Sequence, residues 1–183
     1  NGCILFPDPT LLIDMSNYNR LLFSNLSTDK YCLVYMLEGE EKTKMSMDDI
    51  VAFVKDMGAK MIYVASQGRF DKYAKQYPTI PQFLSYIKNA DFVITNSFHG
   101  TAFSVNFATP FCCVLNRKRK NNGRMISFLD KVDMSNRILY EDSIAELNVM
   151  TACSEVTNNH LRLLVNNSID YLKSIIENKE QKC

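Results

Sequence analysis

The stretch Ala90-Asp91-Phe92-Val93-Ile94-Thr95-Asn96-Ser97-Phe98-His99-Gly100-Thr101-Ala102-Phe103-Ser104 decides the fold. Its short apolar run, Phe92 to Ile94, breaks at Asn96-Ser97, and apolar residues resume at helical spacing after Gly100. That is the pattern of a buried strand turning abruptly into a helix. The turn carries His99, one of 2 histidines in the chain, beside the hydroxyls of Ser97 and Thr101 and next to Gly100. A helix start gathers unpaired backbone N–H groups and the positive end of the helix dipole, and so suits a phosphate.

Outward from this turn the same alternation continues. Before it, Pro7-Asp8-Pro9-Thr10 is extended or turn-like, Leu11–Leu22 reads as a short helix, and Tyr31–Met36 as a buried strand. A helix over 47–57 follows, with Ser46 as N-cap, Asp49 three residues on, an apolar stripe through Ile50, Val54 and Met57, and Gly58 as its stop. Met61–Ala65 is the second strand and 66–76 a polar excursion. Thr79 caps the next helix, which has Pro81 in its first turn. Beyond the turn come a helix over 100–108, a strand over 111–115, a basic loop, a helix over 124–132, a short strand at 137–139 and a terminal helix over 154–178. Short apolar strands alternating with helices imply a mostly parallel sheet covered on both faces, an α/β Rossmann-like three-layer sandwich. Ligands of such sheets sit at the carboxyl ends of the strands, at a topological switch point, and the Asn96–His99 turn lies at one such end.

Composition narrows the class. With 46% apolar and 22% charged residues, 183 residues make one soluble core and read as a single domain, 1–183. A net charge of +1 gives no general reason to expect nucleic acid, and no apolar run is long enough to span a membrane. The 6 cysteines show no CxxC spacing and read as buried free thiols, with Cys112 and Cys113 on opposite faces of their strand. No metal site is expected, and a reducing cytoplasm is the expected location.

The run Pro81, Phe83-Leu84, Ile87, Asn89-Ala90-Asp91, Val93 to Ser104, ending in Pro110-Phe111, resembles the polysaccharide pyruvyl transferase family. Asp8-Pro9-Thr10-Leu11-Leu12, then Asn122, Arg124 and Leu129, then Asn136-Arg137-Ile138 resemble it too, in order. The resemblance implies the C-terminal lobe of a two-lobed, GT-B-like enzyme, with a further N-terminal lobe as its partner. It implies transfer of the enolpyruvyl unit of phosphoenolpyruvate onto two hydroxyls of a sugar or lipid-linked saccharide, giving a cyclic ketal and inorganic phosphate. Phosphoenolpyruvate is then a donor substrate, and no cofactor is called for. Taken alone, the lobe is expected to be inactive.

His99 is the candidate catalytic residue. An imidazole titrates ordinarily near about pH 6.5, so it can carry a proton into an anion pocket at neutral pH. As a general acid it would contribute about 10²–10⁴-fold in rate, but the helix start already defines an anion position and favours the role of phosphate ligand. Asn96, Ser97, Gly100 and Thr101 are substrate-binding candidates around it, Ser97 also being the natural N-cap. Arg124 offers a bidentate fork for carboxylate or phosphate, and Asn116 opens the loop after the strand over 111–115. The run Arg117-Lys118-Arg119-Lys120 reads as a solvated loop. Attraction to an anionic donor, or to a membrane surface that the protein would then meet peripherally at its inner face, is the alternative. Two other readings stay open: a nucleotide-sugar glycosyltransferase, for which the sequence shows no convincing acidic ribose clamp and leaves only Glu38 and Asp91 to consider, and a non-catalytic anion-binding lobe.

Overall fold

Five short strands, Tyr31–Met36 (β1), Lys60–Ala65 (β2), Phe92–Thr95 (β3), Phe111–Leu115 (β4) and Ile138–Tyr140 (β5), pair in parallel in the order β2-β1-β3-β4-β5. The computed structural model describes residues 6–23, 29–37, 46–65, 72–118, 122–141, 147 and 155–180. The three central strands, β1, β3 and β4, are buried on both sides, which is why they read as continuous apolar runs rather than as alternating ones. Helices Met15–Leu21 (α1), Met47–Asp56 (α2), Ile80–Asn89 (α3), Phe98–Asn106 (α4), Gly123–Lys131 (α5) and Glu155–Glu180 (α6) complete the fold.

Two cores flank the sheet. On one face α2 sends Met47, Ile50 and Val54 against Cys32, Val34, Phe92, Ile94 and Cys112. On the other, Tyr18, Leu84, Ile87, Phe103, Phe128, Leu129 and Leu161 pack on Leu33, Val93, Phe111 and Cys113. Cys112 and Cys113 therefore face opposite cores, as the two-residue period of a strand requires. Cys32, Cys112 and Cys113 are free thiols, and burial pushes the last two up to about 12. The other three cysteines lie outside the described residues. Among those residues no helix is long and apolar enough to cross a membrane.

The sequence expectations differ from the structure at the helix starts. One helix over 11–22 is instead a 3-10 turn, Pro9–Leu11, followed by α1. Asp14 causes the break: its carboxylate accepts from Ser16 N–H and starts a new helix there. Ser46 precedes α2 without a side-chain cap bond. Before α3, the Gln82 amide oxygen accepts from both the N–H and the hydroxyl of Thr79. Helix α4 begins at Phe98, two residues before Gly100, so His99 lies inside the first turn rather than ahead of it.

The strand order places the switch point between β1 and β3. The chain moves from β1 outward to β2, crosses back over β1 to β3, and continues the other way to β4 and β5. The carboxyl ends of β1 and β3, at Leu37 and Asn96, thus flank the crevice where such folds hold ligands.

Candidate functional site

The corner after β3 is built from short, braced side chains. Thr95, fully buried, donates its hydroxyl to Tyr35 C=O at 2.8 Å and accepts from Ser97 N–H at 3.0 Å. One hydroxyl therefore fastens the turn to the neighbouring strand. Asn96 works across the same gap, its side-chain oxygen accepting from Leu37 N–H at 2.9 Å. Ser97, buried, caps α4 by accepting from Gly100 N–H at 3.3 Å.

Gly100 lets α4 lie against the sheet. A Cβ there would meet Thr95 Oγ1 at 2.6 Å and Tyr35 Cδ1 at 3.0 Å. The space it leaves faces the sheet. Thr101 is likewise turned inward, its hydroxyl set against the Cys113 thiol. The first-turn backbone stays unpaired: among the described residues the N–H groups of Phe98 and His99 have no intrachain acceptor.

His99 extends from this start with a side chain 55% exposed, so the ring reaches solvent. Its Nε2 stands 3.8 Å from Asp8 Oδ2, and Arg124, in the first turn of α5, contacts the same carboxylate oxygen. The Arg124 guanidinium also stacks on the Phe98 ring, 3.8 Å from its centroid. The structure thus brings His99 and Arg124 together, 25 residues apart in sequence, through a carboxylate from the start of the described chain.

Asp8 is held from behind. Its Oδ1 accepts from Thr10 N–H at 3.0 Å and from the Thr10 hydroxyl at 2.8 Å, while Tyr18 donates its hydroxyl to Thr10 C=O at 2.7 Å. Burial alone would raise the Asp8 carboxyl. The two Thr10 bonds and the nearby His99 and Arg124 hold it below the ordinary carboxylate value. In the sequence Asp8 stands only as a family mark, and the structure adds it to the site. A signal is present in Asp-Pro-Thr, a side-chain acceptor two residues before a free N–H.

The other candidates lie elsewhere. Asn116 shapes the loop after β4, accepting from Lys118 N–H at 2.9 Å and taking Asn122 Nδ2 on its carbonyl at 2.7 Å. Arg117 stacks on Tyr140, 3.7 Å from the ring centroid, and Lys118 is exposed. Arg119 and Lys120 lie outside the described residues. Asp91 sits at the amino end of β3, accepting from Tyr31 N–H at 2.8 Å, on the edge of the sheet opposite the crevice. It cannot hold a ribose at the carboxyl edge, which corrects its standing as a candidate. Glu38 lies outside the described residues.

The family model for polysaccharide pyruvyl transferase matches residues 2–118, which include Asp8, the whole Asn96–Thr101 turn and Asn116 but not Arg124. No curated protein matches the chain significantly. Among solved structures, the chain is similar to the UDP-GlcNAc 2-epimerase of Methanocaldococcus jannaschii, with 11% identity, a TM-score of 0.43 and coverage of 87% of this chain and 49% of that one. It is also similar to the glycosyltransferase SnogD from Streptomyces nogalater, with 11% identity, a TM-score of 0.43 and coverage of 92% and 43%. A glycosyltransferase of kitacinnamycin gives 10%, 0.43, 80% and 41%. The chain therefore spans less than half the length of these structures. Since the family model matches well over half of its residues, the chain belongs to the polysaccharide pyruvyl transferase family.

Proposed function

We propose that the protein is the donor-binding part of an enzyme that transfers the enolpyruvyl unit of phosphoenolpyruvate to a saccharide. The product is a pyruvate ketal. The observation that carries this reading is the meeting, at the start of α4, of an exposed imidazole, a guanidinium and two N–H groups without an acceptor among the described residues. A phosphate and a carboxylate on one small molecule would use all of these groups.

In this chemistry a proton adds to the methylene carbon of the donor and makes C2 electrophilic. One sugar hydroxyl adds to C2, the bond from C2 to the phosphate oxygen breaks as phosphate leaves, and the second hydroxyl closes the ring. The start of α4 and Arg124 hold the anionic groups. His99, hydrogen-bonded to the phosphate, stabilises the charge that grows on it as it departs. The acceptor, a sugar or lipid-linked saccharide, is met together with a further N-terminal lobe. The setting is the cytoplasm, at the inner membrane face where such acceptors are presented.

The test is ligand-induced stabilisation. Phosphoenolpyruvate at 100 times its dissociation constant should stabilise the fold by about 2.7 kcal/mol, nucleotide sugars much less, and His99→Ala should abolish the shift. An equal response in wild type and His99→Ala, or a larger one with nucleotide sugars, refutes the assignment.

A further inference from the structure

A carboxylate is an unexpected neighbour for a site that takes anions, because it repels the ligand it sits beside. Asp8 is nonetheless placed there firmly. Its side chain is 7% exposed, one oxygen is held by the Thr10 N–H and hydroxyl, and the other meets both Arg124 and His99. The Thr10 turn is itself fastened to α1 through Tyr18. Arg124 is consequently gripped between the Asp8 carboxylate, through one guanidinium nitrogen, and the Phe98 ring. Its side chain is 58% exposed, and without such a grip an exposed arginine samples many rotamers. Lys131 lines the same small cavity of about 120 Å³ as Asp8 and Arg124.

We infer that Asp8 is a positioning residue: braced by the Thr10 turn, its carboxylate fixes Arg124 and His99 on one oxygen and aims both at the anion-binding start of α4. The inference rests on reading this corner as the phosphoenolpyruvate site. It assigns Asp8 no contact with the ligand. The site accepts a local negative charge in exchange for two basic groups whose positions are set before the ligand arrives.

Asp8→Asn separates positioning from charge. Asparagine caps the Pro9–Leu11 turn as well as aspartate does, so the turn survives, but the site gains one unit of positive charge. Simple electrostatics then demands tighter binding of inorganic phosphate and phosphoenolpyruvate. Positioning demands the reverse, a loss of about tenfold in affinity for both, read by calorimetry on the whole chain. In an Arg124→Gln background the same change should cost little more, because the two residues act as one. Tighter or unchanged binding in Asp8→Asn, or losses that add independently, overturn the inference while leaving the site where it is. Failure of the wild type to bind either probe overturns the site and Asp8's role with it. Should Asp8→Asn not fold, Thr10→Val removes only the hydroxyl behind Oδ1. It should weaken binding in the same direction, and unchanged binding there overturns the inference equally.

Discussion

Replacing Gly100 with alanine adds one methyl group in a place where the structure leaves no room for it. The new Cβ would stand 2.6 Å from Thr95 Oγ1 and 3.0 Å from Tyr35 Cδ1, both inside van der Waals contact. Neither neighbour yields easily. Thr95 is fully buried and held by two hydrogen bonds, and the Tyr35 ring is packed edge-on against Phe83 at 4.7 Å. Overpacking of this kind costs about 1–3 kcal/mol. Against it stands the better helix propensity of alanine, about 1 kcal/mol at most in a helix interior and less in a first turn. The net expectation is a loss of about 1–2 kcal/mol, or about 3–6 °C in melting temperature for a domain of this size. Gly123, in the first turn of α5, has open space where a Cβ would stand, with no atom within 4 Å, so Gly123→Ala should be neutral or stabilising by up to about 0.5 kcal/mol. Urea unfolding of both variants, read at the transition midpoint, gives opposite signs if Gly100 is required for close packing. A Gly100→Ala protein as stable as the wild type would refute this account. So would one that keeps its stability and loses only phosphoenolpyruvate affinity, because the added methyl points into the sheet.

Three other outcomes are expected. Thr95→Val keeps the shape but deprives Tyr35 C=O and Ser97 N–H of their partner, and should cost about 1–3 kcal/mol in urea unfolding. Asp8, with its carboxyl held below the ordinary range, stabilises the fold above the unfolded-state value of about 3.9, and that contribution is lost as pH falls through the lower folded-state value. The stability gap between wild type and Asp8→Asn should therefore be widest near neutral pH and close as pH falls below the unfolded-state value of about 3.9 and through the lower folded-state one; a gap that widens on acidification contradicts this sign. Cys112 and Cys113, buried and pushed up to about 12, should resist a thiol reagent at neutral pH in the native protein and react on unfolding. Rapid native labelling of either would contradict their burial.

Much of the architecture was legible because the central strands β1, β3 and β4 are runs of three to six apolar residues between helices with clear stripes. The Thr95–Gly100 corner was legible for the same reason: a strand, a capping serine and a glycine leave few alternatives. Helix boundaries were harder. The α4 start moved to Phe98 because Ser97 caps it there, and the residues after the cap carry no breaker that would delay the helix. The expected helix over 11–22 split because Asp14 offers a local acceptor that competes with the helical bond pattern. The direction of each side chain was not legible. Serine and threonine look alike as phosphate donors in sequence, yet Ser97 and Thr101 are buried, while the His99 side chain is 55% exposed. Asp8 was not legible as part of the site because its partners lie 91 and 116 positions along the chain.

That separation carries a consequence for how the protein comes to be functional. The Asp8–Arg124 link closes a loop of 116 residues, whereas the β3–α4 corner closes within a few. Distant closures come after local ones on most folding routes, since the entropy of a long loop must be met before its contacts reward it. The sheet and its capped turn can therefore assemble before the Asp8–Leu12 segment docks, and His99 and Arg124 gain their common carboxylate only with that docking. A sheet folded without that docked segment would hold its histidine and arginine with no shared anchor.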